Sequence, residues 1–396
     1  MIPVFRPSYD SREVEALQST LLSGWIGLGP KTKEFEEKFA NFIGARYAVA
    51  MNSATAGLHL AMNVLGVSRH EVITTPMTFV STNHAILYND AVPVFCDIER
   101  DTLNIDAEKI EALVTKKTKM IVAVHFGGKA CNLDQIQAIA RKHNLLVLED
   151  AAHACGGEFK GRKLGSIGNI AVFSFHAVKN LATGDGGMVV TDDKEVYEKL
   201  LKLRWVGISH DTWNRDQGKK YSWNYDVECL GFKYHMNDIN ATLGLVQLSK
   251  LEEMNDKRRS LSQLYDQMLT KFDWIERPVQ KAYQTKSAAH NYVVKVPMRN
   301  QLNEFMASKG IATGVHYIPN NHYEMYKSYR GPTPVAHEVW ERLLTLPLFP
   351  DLKVTELEYV VECLRAFGET LPAHSRQNAN TLKRADTQVL TEISKT

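Results

Sequence analysis

The sequence predicts an α/β protein: a large domain with a mostly parallel, seven-stranded sheet flanked by helices, and then a smaller α+β domain. Short apolar runs alternate with amphipathic stretches up to about residue 250, as in a chain of β-α-β units. The runs are continuously apolar, which indicates strands buried on both faces of the sheet. At 396 residues the chain is also longer than one ordinary domain.

The seven predicted strands are the short apolar runs of the first 250 residues. They are Tyr47–Met51, Val72–Thr75, Val92–Asp97, Met120–His125, Leu145–Glu149, Ile170–Phe175 and Gly187–Thr191. The helices predicted between them include Ala56–Leu65, Ile110–Thr115 and Leu133–His143. In a sheet of this kind ligands bind beyond the carboxyl ends of the strands, so we expect the functional site there.

A second domain is predicted where the pattern changes, near residue 274. Residues 238–272 predict one long helix that leads to it. We expect a large domain at 1–250, a small domain at 251–372 and a polar tail at 373–396. The elements predicted in the small domain are Asn291–Val296, Gln301–Lys309, Gly314–Tyr317 and a late helix that begins with a capping box of Thr355 and Glu358 and ends at Gly368.

Composition excludes several classes of function. The net charge of +2, from 47 basic and 45 acidic residues, argues against a nucleic-acid partner. The five cysteines form no CxxC pair, and the fourteen histidines show no metal-ligand spacing, so we expect neither disulfides nor a metal. No run of 18 apolar residues occurs, and the first residues lack a signal-peptide pattern. We expect a cytoplasmic protein without a membrane segment.

Two charged residues follow predicted buried strands in one stretch of the chain. Asp150 ends the apolar run from Leu145, and Lys179 follows the run that begins at Ile170. Pyridoxal 5′-phosphate (PLP) chemistry needs this pair, because a lysine links to the cofactor's aldehyde and a carboxylate keeps the pyridine nitrogen protonated. Partial burial and nearby cations would lower the pKa of Lys179, so that its free amine can form and move protons.

A phosphate site is predicted at the start of the first helix of the sheet domain. Ser53, Ala54 and Thr55 follow the first strand and open a helix, which offers backbone N–H groups and hydroxyl groups to an anion. As a bare pattern, the same residues could be an ordinary helix N-cap.

Several motifs, taken in order and spacing, resemble the sugar aminotransferases of the DegT/DnrJ/EryC1/StrS family, of PLP-dependent fold type I. The resemblance runs from about residue 3 to residue 367. The matching segments are Trp25–Pro30 with Phe35-Glu36, Asn52–Leu58, Glu149–His153, Ser174–His176 with Lys179, Gly231–Asp238 and His316-Tyr317.

The resemblance implies roles around the cofactor. Asp150 would hold the pyridine nitrogen, and Lys179 would hold the aldehyde carbon. Ser53, Ala54 and Thr55 would bind the phosphate, and Ser174 would add a hydroxyl donor to it. Phe79 would stack on the ring, and His153 would lie over the phenolic oxygen.

The resemblance also implies a homodimer whose active sites use both subunits. Lys233 lies in the segment that would reach the neighbouring cofactor phosphate, where many members of the family carry asparagine or arginine. His235 is the alternative donor. Trp25, His316 and Tyr317 would border the sugar, as would His322.

The function implied is amino transfer from L-glutamate to a nucleotide-linked keto sugar, by default a 4-keto-6-deoxyhexose, for amino sugars of surface polysaccharides such as lipopolysaccharide O-antigen. Two alternatives belong to the same family. A sugar dehydratase would carry histidine in place of Lys179, and a non-catalytic, PLP-binding regulator would not need Lys179, Asp150 and Ser174 together. A cysteine desulfurase of the same fold type would need a loop cysteine near PLP, whereas Cys363 lies in the predicted late helix.

Overall fold

A computed structural model describes residues 1–208, 225–329 and 331–372, and a seven-stranded sheet lies at its centre. The predicted tail, 373–396, lies outside the described residues. The described strands are β1 (Tyr47–Met51), β2 (Glu71–Thr74), β3 (Val92–Phe95), β4 (Thr118–Val124), β5 (Leu146–Asp150), β6 (Glu158–Phe159), β7 (Arg162–Lys163), β8 (Ile170–Ser174), β9 (Gly187–Thr191), β10 (Tyr292–Lys295) and β11 (Leu343–Leu346).

The central sheet has the strand order β1-β9-β8-β5-β4-β2-β3. Only β9 runs against its neighbours β1 and β8, and the other neighbouring strands pair in parallel. The remaining strands form two small antiparallel pairs, β6 with β7 and β10 with β11. The predicted fold class, with its seven mostly parallel strands, is confirmed.

Helices cover both faces of the sheet. They are α1 (Ser11–Leu22), α2 (Pro30–Ile43), α3 (Ala54–Val64), α4 (Val80–Tyr88), α5 (Ala107–Ile110), α6 (Leu133–His143), α7 (Lys194–Leu203), α8 (Asp238–Met268), α9 (Arg299–Ser308), α10 (Pro334–Trp340) and α11 (Val354–Thr370). An apolar core therefore lies on each face of the sheet. In strand β8, Phe173 packs with Phe39 in the core on one face, and Val172 packs with Leu58 in the core on the other face.

Local sequence signals explain where α6 begins and ends. The Asn132 side chain caps its first turn, and Asn144 ends it in the left-handed conformation at φ 52°. Leu133, Ile136 and Ala140 face the core at helical spacing. The sequence therefore predicted both ends of this helix correctly.

Three predicted elements were wrong. The helix predicted at Ile110–Thr115 does not form. Helix α5 lies before it, begins at Ala107 after an Asp106 N-cap and ends at Ile110, and only a 3₁₀ turn follows. No strand forms at 314–317, where Gly314 makes a single bridge to Thr345. Helix α11 is capped at Lys353, whose N–H donates to Glu356 at 2.9 Å, and not at Thr355.

Gly368 does not end α11, which continues to Thr370. A Cβ at position 368 would lie 2.5 Å from Nε1 of Trp274. The glycine therefore permits close packing of the helix against an indole ring, and it does not mark the end of the helix.

A further apolar core lies in the C-terminal part of the chain, between β10, β11, α11 and the end of α8. The first residues of the chain pair with this part: the Ile2 N–H donates to the Gly310 carbonyl oxygen at 2.8 Å, and Val4 accepts from Leu348 N–H at 3.0 Å. The domain boundaries at 250 and 372 stay predictions. Within the described ranges, no helix has both the length and the apolar character needed to cross a membrane.

The start of α8 fixes the start of α2 through one buried carboxylate. Asp238 accepts hydrogen bonds from Gly29 N–H at 3.0 Å, from Lys31 N–H at 3.1 Å, and from both the N–H and the hydroxyl of Thr32, at 2.8 and 2.7 Å. It thus satisfies N–H groups that the first turn of α2 leaves without partners. A negative charge there also interacts favourably with the helix dipole.

We expect Asp238→Ala to lower the free energy of unfolding by about 3 kcal/mol, because it leaves several buried donors of α2 without an acceptor. Urea denaturation followed by circular dichroism measures the change. Asp256→Ala is the matched control, since Asp256 lies on the same helix and makes an exposed ion pair with Arg259. It should change stability by less than about 1 kcal/mol. Equal losses in the two variants would contradict the role of Asp238.

Candidate active site

One cavity of about 330 Å³ opens beyond the carboxyl ends of the parallel strands, within the size range of small-molecule sites. The sequence predicted a site at this edge of the sheet. Its wall contains all the predicted site residues except Trp25, Lys233, His235 and His322. The residues present are Ser53, Ala54, Thr55, Phe79, Asp150, His153, Ser174, Lys179, His316 and Tyr317.

The end of β5 places two adjacent carboxylates in different surroundings, because successive side chains of a strand point to opposite faces. Glu149 accepts from His125 Nε2 at 2.9 Å and from the N–H groups of Gly165, Ile167 and Gly168 at 2.5 to 2.8 Å. The carboxylate of Glu149 therefore holds the loop at 165–168. Asp150 faces the cavity, so β-strand alternation selects it as the functional carboxylate.

Asp150 is held by hydrogen bonds on both oxygens. Its Oδ1 accepts from Ala152 N–H at 3.1 Å, and its Oδ2 accepts from the Thr82 hydroxyl at 2.7 Å. The Thr78 hydroxyl lies 2.8 Å from that of Thr82. Burial raises the pKa of Asp150 above its usual value, while Thr82, Ala152 and the charge of Lys179 oppose the rise.

Lys179 is half-buried and lies in the loop between β8 and β9, with its backbone N–H donating to the His176 carbonyl oxygen at 2.8 Å. Burial lowers its pKa to about 8, and the charge of Asp150 acts in the opposite direction. Burial is thus the cause of the lowered pKa, as the sequence predicts, whereas the cationic neighbourhood that it also predicts does not contribute. With a pKa of about 8, about a tenth of the amine is neutral at pH 7.

The predicted phosphate residues lie at the start of α3. Ser53 is the N-cap, and its hydroxyl accepts from Ala56 N–H at 3.1 Å. Ala54 and Thr55 supply backbone N–H groups that the first turn leaves without helical partners. Ser174, at the end of β8, completes this side of the cavity.

Close packing explains one of the glycines that follow Lys179. A Cβ at Gly187 would lie 2.6 Å from the backbone nitrogen of Ala54 and the carbonyl carbon of Ser53. Only glycine lets β9 pass this close under the start of α3. The short approach brings the loop that carries Lys179 next to the predicted phosphate site.

A column of five rings contributes His153, Tyr317 and Phe79 to the wall of the cavity. Phe5 stacks on His290 with ring centroids 5.1 Å apart, and His290 lies 4.5 Å from His153. Next come Tyr317, 6.0 Å from His153, and Phe79, 6.1 Å from Tyr317. Phe79 ends the column at the rim with 57% of its surface exposed. An exposed aromatic face of this kind suits stacking against a flat ring.

The histidines of this wall are uncharged. Burial lowers the pKa of His153 and of His290 well below the usual value, and it lowers the pKa of His316 to about 4. His316 Nδ1 lies 2.8 Å from the Thr345 hydroxyl. Lys179 and Asp150 are therefore the charged groups of the predicted set that line the cavity.

Trp25 and Lys233 lie away from the cavity of the single chain. The Trp25 indole donates to the Leu28 carbonyl oxygen at 3.3 Å. The Lys233 ammonium lies over the ring of Trp205, 3.3 Å from its centroid, and His235 packs against the same ring. The role of Trp25 at the sugar and the role of Lys233 at the neighbouring subunit's cofactor phosphate stay predictions.

His322, which the sequence placed near the sugar, also lies elsewhere. Its Nε2 is 2.7 Å from Nδ1 of His337.

Sequence reasoning missed Thr82 and Asn180. Thr82 follows Phe79 by one helical turn on α4, a spacing that could have indicated it. Asn180 follows Lys179 directly and is buried. Its amide donates to Asn255 Oδ1 and to the Ala288 carbonyl oxygen, both at 2.7 Å, and its own oxygen lies 2.9 Å from His290 Nδ1. No local pattern reports such long-range partners.

The cavity fits PLP. The cofactor needs an amine of lowered pKa, a buried carboxylate, an anion site and a flat apolar surface. Lys179, Asp150, the start of α3 and the ring of Phe79 supply these within one cavity. Each of them comes from a different element at the carboxyl edge of the sheet.

Comparison with known proteins agrees with this geometry. The model of the DegT/DnrJ/EryC1/StrS aminotransferase family matches residues 7–365. The chain belongs to this family. Spore coat polysaccharide biosynthesis protein SpsC of Bacillus subtilis is 40% identical over 376 residues, which are 92% of this chain and 96% of that protein.

Solved structures of family members have the same fold. The putative sugar aminotransferase Spr1654 of Streptococcus pneumoniae, in its PMP form, is 32% identical with a TM-score of 0.88, covering 93% of this chain and 99% of that one. A PLP form of Spr1654 is also similar. PseC of Helicobacter pylori, an aminotransferase involved in the biosynthesis of pseudoaminic acid, is 29% identical with a TM-score of 0.86, covering 93% and 100%.

This DegT-family chain is therefore a PLP-dependent sugar aminotransferase of fold type I, and the predictions of family, enzyme class and cofactor are confirmed. The comparisons do not assign roles to individual residues. Those roles rest on the geometry of the cavity.

We expect Thr82→Val to weaken PLP binding by about tenfold, because a lost hydrogen bond to a charged group costs about 1.5 kcal/mol. The pKa of Asp150 should rise further, so the loss should grow as the pH falls. Fluorescence titration of the protein with PLP at several pH values measures the affinity. Thr82→Ser keeps the hydroxyl and should bind nearly as wild type. If valine and serine behave alike, Thr82 does not support Asp150.

Proposed function

We propose that this family member transfers the amino group of L-glutamate to a nucleotide-linked keto sugar, by default a 4-keto-6-deoxyhexose. The observation that supports amino transfer best is the pairing of Lys179, with a pKa of about 8, and buried Asp150 in one cavity. The names of SpsC and PseC point to polysaccharide and sugar-acid biosynthesis. The product would be an amino sugar for a surface polysaccharide, such as lipopolysaccharide O-antigen, made in the cytoplasm.

Asp150 would keep a proton on the pyridine nitrogen of the cofactor. Bound PLP supplies an aldehyde that accepts an amino group and a ring that delocalises negative charge. That delocalisation depends on the ring nitrogen's proton, and an anionic carboxylate next to the nitrogen stabilises it. Thr82 and Ala152 N–H hold both oxygens of Asp150 and oppose its neutralisation by burial.

Lys179 would hold the cofactor in the resting enzyme and move a proton during the reaction. Once the donor's amino group has displaced it, the neutral amine can take a proton from the donor's α-carbon and release it to the cofactor's aldehyde carbon. An ordinary lysine would be protonated and unable to accept it. The lowered pKa of Lys179 therefore matches the task.

The two substrates would use the cavity in turn. L-Glutamate would leave its amino group behind as 2-oxoglutarate departs, and the sugar ketone would then take up that group by the same steps in reverse. This sequence predicts ping-pong kinetics. The wall formed by His316 and Tyr317, with its uncharged ring nitrogens and hydroxyl group, offers polar contacts to sugar hydroxyl groups.

We also propose a homodimer in which Trp25 and Lys233 act at the cavity of the other subunit. Both residues lie away from the cavity of their own chain, and the rim residue Phe79 is 57% exposed in the single chain. Light scattering that gave the mass of one chain would exclude this arrangement.

The alternative functions within the family are less well supported. A sugar dehydratase of this family would carry histidine at the position of Lys179, and His176 lies elsewhere in the loop. A regulatory, non-catalytic member would have no need for a desolvated lysine beside a buried carboxylate. Cys363 lies within α11, and none of the described cysteines lines the cavity, so desulfurase chemistry lacks its cysteine near PLP.

We expect Lys179→Ala to lower the rate of the glutamate half-reaction by about 10³-fold or more, because the variant loses both the link to PLP and the proton carrier. Stopped-flow absorbance of the bound cofactor after mixing with L-glutamate measures this rate.

The matched control is Lys129→Ala. Burial also lowers the pKa of Lys129 to about 8, but its ammonium donates to the Val279 carbonyl oxygen outside the cavity. The control variant should react within a few-fold of wild type. If Lys179→Ala reacts as fast as Lys129→Ala, the proposed function fails.

The capture of PLP by the cofactor-free protein should depend on pH through Lys179. Only the neutral amine attacks the aldehyde, so the rate should rise about tenfold for each pH unit below the pKa and level off above it. The levelling should occur near pH 8, the pKa of about 8 that burial gives Lys179. A rate that kept rising to the pKa of an ordinary lysine would show that Lys179 is not desolvated in solution.

A further inference from the structure

His153 lies between a backbone amide and the hydroxyl of Tyr317. The N–H of Gly127 donates to His153 Nδ1 at 3.3 Å, and His153 Nε2 lies 2.9 Å from the Tyr317 oxygen. A backbone N–H can only donate a hydrogen bond. Nδ1 must therefore carry a lone pair and no proton.

This fixes the direction of the second hydrogen bond. A neutral imidazole carries one proton, which must be on Nε2 if Nδ1 accepts. Burial holds the pKa of His153 well below its usual value, so the ring stays neutral. His153 Nε2–H then donates to the oxygen of Tyr317. The ring has no further proton to offer to the cavity.

Tyr317 keeps its own proton. Burial and the charge of Asp150 raise the pKa of the Tyr317 hydroxyl above its usual value, so it stays a neutral phenol. With its oxygen accepting from His153, its hydroxyl hydrogen is available to a group in the cavity. Both His153 and Tyr317 line that cavity.

The order of the strands in the sheet indicates which part of the cofactor would lie next to His153 and Tyr317. Ser53 follows β1 and Ser174 ends β8, on one side of β5 in the order β1-β9-β8-β5-β4. Gly127, the partner of His153, follows β4 on the other side. On the pyridine ring of PLP, the ring carbon that bears the aldehyde lies between the carbon that bears the phosphate arm and the carbon that bears the phenolic oxygen. With the phosphate at Ser53 and Ser174, the phenolic oxygen would face the β4 side.

We propose that the hydroxyl of Tyr317, and not His153, donates the hydrogen bond to the phenolic oxygen of the cofactor. His153 is a positioning residue that fixes the orientation of the Tyr317 hydroxyl. This inference rests on the proposed cofactor site, and it replaces the contact with the phenolic oxygen that the sequence suggested for His153.

A donor at this oxygen stabilises the form of the lysine-linked cofactor that has lost its proton, and so lowers the pH midpoint of its absorbance change. Removing the donor should raise the midpoint by about one pH unit, a tenfold change in proton affinity. Spectrophotometric pH titration of the cofactor-loaded protein measures the midpoint without any turnover.

Tyr317→Phe should raise the midpoint by about one unit. His153→Leu should raise it by less, because the tyrosine keeps its hydroxyl and loses only its orientation. His153→Gln, whose amide can donate to Tyr317, should restore the wild-type value. Tyr359→Phe is the control for loss of a tyrosine hydroxyl, since Tyr359 lies on α11 and donates to the Lys309 carbonyl oxygen.

One pattern of pH midpoints in the variants would overturn the inference. A midpoint that moves in His153→Leu and stays at the wild-type value in Tyr317→Phe would overturn the inference and make His153 the direct donor. A wild-type protein without any lysine-linked absorbance band would instead be a failure of the proposed function.

A second measurement reports the protonation of His153 in the wild-type protein. Nitrogen-15 NMR of histidine-labelled protein distinguishes a protonated from an unprotonated ring nitrogen. We expect His153 to show an unprotonated Nδ1 and a protonated Nε2, with the resonance assigned by its loss in His153→Gln. A protonated Nδ1 would overturn the inference.

Discussion

The site depends on the attraction between Asp150, which is buried, and Lys179, which is half-buried, at the wall of one cavity. Burial raises the pKa of Asp150 and lowers that of Lys179, so desolvation drives each group toward neutrality, while their mutual attraction opposes this. The balance leaves a carboxylate that Thr82 and a backbone N–H stabilise, next to an amine that titrates near pH 8. A pair exposed to water would behave as an ordinary aspartate and lysine.

Contacts of the surrounding fold hold Asp150 and the loop of Lys179 in place. Strand alternation at the end of β5 assigns Glu149 to a loop and Asp150 to the cavity. Gly187 lets β9 approach the start of α3, which brings the loop of Lys179 to the anion site. Asn180 links the same loop to His290 in the column of rings. A change in any of these contacts would alter how Lys179 faces Asp150.

The sequence was sufficient for the features that arise locally. Continuous apolar runs revealed all seven strands of the sheet, and the caps Asn132 and Asn144 set the ends of α6. The order and spacing of the motifs predicted most of the site residues that line the cavity. The failures arose from tertiary contacts: Gly368 packs on Trp274 within α11, and the partners of Thr82 and Asn180 lie far away in the chain. The roles of Trp25 and Lys233 stay predictions, because neither residue lines the cavity of the single chain.

The central claim is that Lys179 is the residue to which PLP is bound. Reduction of the PLP-loaded protein with borohydride makes that link permanent, and mass spectrometry of the peptides then locates it. We predict that the peptide containing Lys179 carries the cofactor and that peptides containing Lys129 or Lys233 do not. The cofactor on another lysine, or on none, would contradict the account.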